Sequence, residues 1–397
     1  MEPKFKTKQE IADSEFAFKG RDIVTMSDFS REEIDYILDA ADWFKRTHAD
    51  GNREELEGIL DGAAVASVFV EPSTRTRCSF EAAAKCLGAK VIGMSDPNAS
   101  SFKKGEPLKD ALKMFEYYAS AMGHGDAAFI MRHKSDGAAR FAADILDIPF
   151  LNGGDGKNQH PTQTLLDLFT IKETKQKIDG LSVAMVGDLK HGRTVHSLAT
   201  ALSKYEWVTL YFVAPEILQM PKHIRDMLKE KEVKFAVIED LEGVLGKVDV
   251  TYMTRIQRER LSEEDKPKVK DVYRLNAKML EQTNSKTIVM HPLPRYKEAL
   301  EIAFDVDDTK HAAYYPQALN GLYVREALLA LVMGRIGNKI LYQMQEGELA
   351  QASWLCPNEN CITNPKYCEG VEPKFLVDDK SQAKCYYCES IIKEEEK

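Results

Sequence analysis

The sequence predicts an α/β protein with two doubly wound parallel-sheet domains joined by long helices, followed by a small cysteine-rich domain. Three observations predict it. Short apolar runs alternate with helical patterns through two long stretches, the signature of parallel sheets covered on both faces. Tracts rich in charge and hydroxyls follow the ends of those runs, where open parallel sheets bind ligands. Five of the seven cysteines are crowded into the last 42 residues.

Composition narrows the class. A chain of 397 residues accommodates two or three domains, and 44% hydrophobic residues is enough for substantial cores. The formal net charge of −9 argues against a general nucleic-acid or membrane-surface binder. No apolar run approaches a membrane span. The start, Met1-Glu2-Pro3-Lys4, carries no apolar signal core, so a cytoplasmic location is expected. An odd cysteine count without a signal peptide speaks against a disulfide framework.

The elements follow in order. Residues 64–70 read as a buried strand, followed by a helix to about 87. Residues 89–94, 127–131 and 149–152 complete a first sheet, with a polar loop at 96–105 and helices at 107–119 and 137–145. A long helix over 161–173 bridges to a second sheet built from 182–186, 208–213, 235–237, 248–253 and 287–290. Residues 312–340 form an apolar helical stretch expected to pack back on the first domain, and 347–353 a linker. The expected domains are therefore 1–155 with 312–340, then 156–311, a linker over 341–355, and 356–397.

Each sheet end carries a motif. Glu71-Pro72-Ser73-Thr74-Arg75-Thr76-Arg77 lies between the first strand and Cys78-Ser79-Phe80-Glu81, which opens a helix. The first amides of a helix lack intrahelical partners and its dipole is positive there, so hydroxyls and guanidinium groups complete an anion cradle. An ordinary Ser/Thr cap with surface arginines is the plain alternative. Arg132, in Met131-Arg132-His133 at the end of the third strand, faces the same turn or is a surface arginine. In Asn158-Gln159-His160-Pro161-Thr162-Gln163, His160 and Gln163 are three apart and share a helical face. His160 reads as a donor to a carbonyl oxygen that becomes negative, or as a capping histidine.

Gly187-Asp188-Leu189-Lys190-His191-Gly192-Arg193-Thr194-Val195-His196 lacks the G-x-G-x-x-G spacing of a dinucleotide turn, and Arg193 suits a carboxylate. Arg255 and Gln257, two apart after another strand, suit a dicarboxylic substrate, while 258–260 fits a solvated charge run. In His291-Pro292-Leu293-Pro294-Arg295 two prolines fix the backbone and leave its carbonyls as acceptors, or simply make a rigid turn.

Over roughly residues 15–340 these motifs together resemble the transcarbamoylase family. Ser-Thr-Arg-Thr is common to its members. His-Pro-Leu-Pro-Arg, with Met-Thr-Arg-Ile-Gln and the Gly-Asp-Leu-Lys-His-Gly-Arg stretch, is similar to the branch whose acceptor is aspartate. Ornithine enzymes typically carry cysteine where Pro292 stands. The resemblance implies that Ser73, Thr74, Arg75, Thr76 and Arg132 bind the phosphate of carbamoyl phosphate. It implies that Thr76, Arg132 and His160 polarise the carbonyl. Gln163, with the carbonyls of Leu293 and Pro294, would hold the carbamoyl amide, and Arg193, Arg255 and Gln257 the two carboxylates of aspartate. It also implies that Ser100 and Lys104 reach into a neighbouring subunit's site, making the catalytic unit at least a homotrimer. On this reading 1–155 with 312–340 binds carbamoyl phosphate and 156–311 binds aspartate. The two substrates bring about four negative charges at neutral pH, which a site rich in arginine and lysine neutralises. Orientation and oxyanion stabilisation then carry the reaction without a catalytic cofactor. A different acceptor such as ornithine, or an inactive zinc-dependent scaffold, are the competing readings.

In the tail, Cys356 and Cys361 give C-x4-C, and Cys385 and Cys388 give C-x2-C. Four thiolates paired this way suit a closed, structural tetrahedral zinc site, and Cys368 falls between the pairs as a non-ligand. This makes the tail a small C-terminal zinc-binding domain, which needs its metal to fold. From Cys356 onward six lysines, no arginine and nine carboxylates make a nucleic-acid role poor. The spacing resembles the zinc domain of the family's regulatory chain, here without that chain's nucleotide-binding half.

Overall fold

The computed structural model describes residues 6, 8–14, 16–94, 96, 100–257, 261–269, 273–281, 283, 286–295, 297, 300–336, 349–350, 354–377 and 383–392. The chain forms two compact units. The larger comprises Phe5–Asp28, Asp35–Thr162 and Leu322–Lys397; the smaller comprises Phe29–Ile34 and Gln163–Gly321 with the first four residues.

In the larger unit the chain runs through α1 (Lys8–Ala12), α2 (Arg31–Ala49, which begins in the smaller unit) and α3 (Arg53–Glu57). It continues through β1 (Ala64–Phe69), α4 (Thr74–Cys86), β2 (Lys90–Met94), α5 (Leu108–Met122), β3 (Ala127–His133), α6 (Ala138–Ile145) and β4 (Phe150–Asp155). The sheet order is β2-β1-β3-β4, all parallel. Every residue of β1, β3 and β4 is buried, which explains the mostly apolar run of β1 and the apolar first five residues of β3. The sequence reading ends the third strand at 131 and the fourth at 152. Both continue further, so Arg132 is a ladder residue paired with Phe69.

Helix α7 (Pro161–Lys175) carries the chain across, the change of unit falling between Thr162 and Gln163. The smaller unit then runs β5 (Ser182–Val186), α8 (Arg193–Leu202), β6 (Thr209–Val213), α9 (Lys222–Glu230), β7 (Lys234–Ile238), α10 (Glu242–Leu245), β8 (Val250–Met253), α11 (Ala277–Leu280) and β9 (Ile288–Met290). Its sheet order is β7-β6-β5-β8-β9, again parallel, and the order reverses at β5. Gly187 follows β5 with φ of +114°, and a Cβ there would lie 2.4 Å from the Thr254 carbonyl oxygen. Only glycine lets the turns after β5 and β8 approach this closely.

Helix α12 (Tyr314–Val332) returns to the larger unit after Gly321. Within that unit its Glu326 meets His48 Nε2 at 2.9 Å, and Val332 accepts from Gly20 N. Residues 337–340, 341–348 and 351–353, on which the end of the apolar stretch and most of the linker fall, lie outside the described residues, as do 97–99 and 258–260. The tail is an antiparallel sheet β10-β11-β12-β13 (Leu349–Ala350, Phe375–Val377, Ala383–Cys385, Ile391–Ile392). Two residues expected in the linker are thus a strand, paired with β11. Among the described residues no helix is long and apolar enough to cross a membrane.

Candidate active site and metal centre

In the larger unit the turn after β1 caps α4. Ser73 is its N-cap, and its Oγ donates to Thr76 Oγ1 at 3.0 Å. Thr76 is buried in the first turn, whereas Thr74 and Arg75 are exposed. Backbone amides, three hydroxyls and the Arg75 guanidinium thus share one helix start. Arg132 is fixed beside them. Its carbonyl accepts from Val70 N and Glu71 N at 2.9 and 3.2 Å. Its guanidinium donates to Gly153 O at 3.1 Å and pairs with Glu71 at 3.1 Å. Next to it, burial pushes the His133 pKa down to about 3, and its Nδ1 accepts from Ser135 N, so this histidine is neutral and structural.

His160 is buried and immediately precedes α7. The loop before it is organised by Asp155, itself 1% exposed. Asp155 accepts from Gln159 N at 3.1 Å, Asn158 Nδ2 at 3.1 Å, Asn152 Nδ2 at 3.1 Å and Gly137 N at 2.8 Å. Burial raises its pKa to about 7, against the pull of these donors. Arg325 of α12 ties the start of α7 to α4, donating to Thr162 Oγ1 at 3.3 Å and Ser79 Oγ at 2.9 Å. Ser100 caps a 3-10 turn over Ser101–Lys104. Phe102 packs on the apolar core of the unit and leaves Lys103 and Lys104 exposed.

In the smaller unit Asp188, fully buried, joins the two cationic segments. It accepts from His191 N at 3.0 Å on the turn that starts α8 with Arg193, and from Gln257 N at 3.1 Å on the segment carrying Arg255. Gln257 Nε2 donates back to His191 O at 2.9 Å. Asp188 N in turn donates to Thr254 Oγ1 at 3.1 Å. Arg193, Arg255 and Gln257 are all partly exposed. Burial pushes His196 down to about 4, so it is neutral where Nε2 meets Leu189 O at 2.7 Å. Gln163 lies on α7 and donates to Asp167 at 2.9 Å. Leu293 and Pro294 lie in the turn after β9, where Leu293 N donates to His291 Nδ1 at 2.8 Å. Asp155, Asp167, Asp188 and Gln317 escaped the sequence reading. For Asp167 a signal existed: it is four residues beyond Gln163 in a helix, hence on the same face.

In the tail the Sγ atoms of Cys356, Cys361, Cys385 and Cys388 all lie within 4.8 Å of one another. Cys356–Cys388 and Cys361–Cys385 are 3.5 and 3.9 Å apart. A tetrahedral ion with metal–sulfur bonds of about 2.3 Å sets its sulfurs about 3.8 Å apart, so four thiolates here fit one metal with no open position. Thr363 Oγ1 donates to Cys361 Sγ at 3.3 Å, an outer contact of the kind that orients a ligand.

The tail is built onto the larger unit. Its Cys361, Phe375, Cys385, Tyr387 and Ile392 pack in one apolar cluster with Phe129, Phe141 and Phe150. Asp136, after β3, accepts from Asn358 at 2.9 Å, Asn360 at 2.8 Å and Lys157 N at 2.6 Å. Gln159, next to His160, donates to Glu389 at 3.0 Å. A Cβ on Gly137 would lie 2.7 Å from Tyr387 atoms.

This chain, with two parallel-sheet domains, a hydroxyl-arginine turn on one and paired arginine turns on the other, belongs to the aspartate/ornithine carbamoyltransferase family. Residues 21–173 match its carbamoyl-P binding domain and 179–332 its Asp/Orn binding domain. Residues 354–397 match the metal binding domain of the aspartate carbamoyltransferase regulatory chain. Its relatives lie on the aspartate side of that family. The chain is 49% identical over 321 residues to the aspartate carbamoyltransferase catalytic subunit of Thermococcus kodakarensis, covering 81% of this chain and 99% of that one. It is 49% identical over 311 residues to that of Chromobacterium violaceum, covering 78% and 97%. Among solved structures, the catalytic subunit of M. jannaschii aspartate transcarbamoylase matches with TM-score 0.70 and 44% identity, over 78% of this chain and 97% of that one. The Trypanosoma cruzi enzyme in complex with N-(phosphonacetyl)-L-aspartic acid matches with TM-score 0.72 and 35% identity, over 79% and 96%.

Proposed function

We infer that the chain transfers the carbamoyl group of carbamoyl phosphate to the amine of L-aspartate, giving N-carbamoyl-L-aspartate and phosphate, a step of pyrimidine synthesis. The observation that carries the reading is Arg132, locked by Glu71 and Gly153 against the helix-start turn of Ser73–Thr76. It couples an anion cradle to a rigid, already oriented guanidinium. In this reading Ser73, Thr74, Arg75, Thr76 and Arg132 hold the phosphate. Thr76, Arg132 and His160 donate to the carbonyl oxygen as it becomes an oxyanion, which needs preorganised donors. Gln163 and the carbonyls of Leu293 and Pro294 hold the carbamoyl NH2. Arg193, Arg255 and Gln257 hold the aspartate carboxylates, and Asp188 fixes the spacing between them by bonding both segments. The departing phosphate takes the proton of the attacking amine.

The exposed Lys104, on a turn anchored by Phe102, completes a neighbouring subunit's site together with Ser100, so the working form is a homotrimer. The tail's metal is zinc in a structural role: it supplies a crosslink, and the chain's own thiolates hold it. The enzyme acts in the cytoplasm. The activity is tested by assaying carbamoyl transfer to aspartate and to ornithine. Turnover with aspartate is expected to fall about 100-fold or more in Arg132→Ala, the size of losing one oxyanion donor. Lys104→Ala is expected to be equally poor, whereas mixing the two inactive variants restores activity at sites that receive both intact residues. Equal use of ornithine, or no recovery on mixing, would contradict the acceptor and the shared site respectively.

A further inference from the structure

The strongest unused feature is a carboxylate inside the smaller unit. Asp167 is fully buried, one turn beyond Gln163 on α7. Three donors converge on it. Gln163 Nε2 and Gln317 Nε2 reach Oδ1 at 2.9 and 2.6 Å, and Tyr252 OH reaches Oδ2 at 2.8 Å. A carboxylate offers acceptors only. Both amides must therefore turn their NH2 groups toward Asp167 and their carbonyl oxygens away. For Gln317 that oxygen accepts from His291 N at 2.9 Å. For Gln163 it is left as the acceptor end of the side chain.

The same bonds set the polarity of the turn after β9. His291 N is consumed by Gln317 and Leu293 N by His291 Nδ1. Pro292 and Pro294 have no N–H. From His291 to Pro294 the backbone thus offers carbonyl oxygens and no free donor.

We propose that Asp167 is the specificity-determining positioning residue for the carbamoyl NH2. It holds Gln163 oxygen-outward and, through Gln317, anchors the His291–Pro294 turn, so that the cradle presents acceptors only. This rests on the reading that Gln163 and that turn bind the carbamoyl amide. An NH2 group satisfies such a cradle. The methyl of acetyl phosphate, an isosteric acyl phosphate, leaves those acceptors without a donor, and a site built to hydrogen-bond a group rejects the analogue that lacks it.

The test is Asp167→Asn. Its Nδ2 can donate to Gln163 Oε1, letting the amide turn round and oppose a donor to the substrate NH2. The measured quantity is the ratio of the inhibition constant of acetyl phosphate to the KM of carbamoyl phosphate. The ratio is expected to fall at least tenfold in Asp167→Asn, through KM, with the acetyl phosphate constant changed less than threefold. Tyr252→Phe, which removes a donor without offering Gln163 a new one, is expected to keep the wild-type ratio. Should Asp167→Asn fail to fold, Gln317→Leu carries the test: it frees the turn and lowers the ratio by a smaller factor. A ratio unchanged in the folded variants, or both constants moving together, overturns the proposal. A wild-type protein that transfers no carbamoyl group to aspartate overturns the underlying reading instead.

Discussion

The sheet of the larger unit and the sheet of the tail solve the same problem by different means. Strands β1 to β4 are 6, 5, 7 and 6 residues long, and three of them are buried along their whole length. Strands β10 to β13 have 2, 3, 3 and 2 residues. So few residues cannot bury enough apolar surface to offset their ordering. The tail makes up the deficit with four thiols in one cluster and with a core shared with Phe129, Phe141 and Phe150. One sheet is specified by the apolar pattern of its own strands, the other by metal chemistry and docking.

The sharpest break in that comparison is metal removal. Treating the protein with a strong chelator is expected to abolish slow amide exchange over 383–392 while β1 and β3 stay protected, because apparent binding energies of structural zinc are about 10 kcal/mol or more. Simultaneous loss of protection in both sheets would show that the tail is not the dependent partner.

A smaller effect separates docking from metal binding. Asp136→Ala removes the acceptor of Asn358, Asn360 and Lys157 N, at a cost of about 2–4 kcal/mol for several buried donors left unmade. Exchange over 383–392 is expected to accelerate with one metal per chain retained. Loss of the metal as well would mean that docking and ligation are one event.

A third effect lies within the larger unit and depends on pH. Burial pushes the Glu326 pKa up to about 8, from an ordinary value of 4.5. The folded state then holds a proton that the unfolded chain releases above about pH 4.5. Stability from this group is therefore highest at low pH and declines as pH rises from there to about 8. Glu326→Gln keeps a polar partner for His48 and removes the titration. Its melting temperature is expected to gain on wild type progressively between pH 5 and 8. A gap that stays constant with pH would mean that Glu326 ionises in the fold, paired with a protonated His48.

Much of this architecture was legible because burial on both faces leaves a mark. Strands such as 64–69, broken only by Ser67, and 183–186 are apolar runs, and the cysteine spacing survives any fold. The turns proposed to hold substrate drew attention in the sequence because they sit at strand ends. Helix Arg31–Ala49 was not read: its residues gave no motif to prompt it. The buried carboxylates were missed for a different reason. In a sequence, Asp155, Asp167 and Asp188 look like solvated surface residues. Their role exists only once donors from distant segments, such as Tyr252 and Gln317, arrive around them. The prolonged third strand belongs to the same class: a charged Arg132 ends an apolar run on paper, yet it stays in the ladder because Glu71 and Gly153 receive its guanidinium.

The change of unit inside α7 and again inside α12 has a genetic corollary. Apart from the short segment Phe29–Ile34 and the first four residues, the smaller unit is one contiguous stretch, Gln163–Gly321, spliced between two helix positions of the other. Replacement of this stretch as a cassette would therefore place both seams inside a regular α-helix, with no loop to redesign.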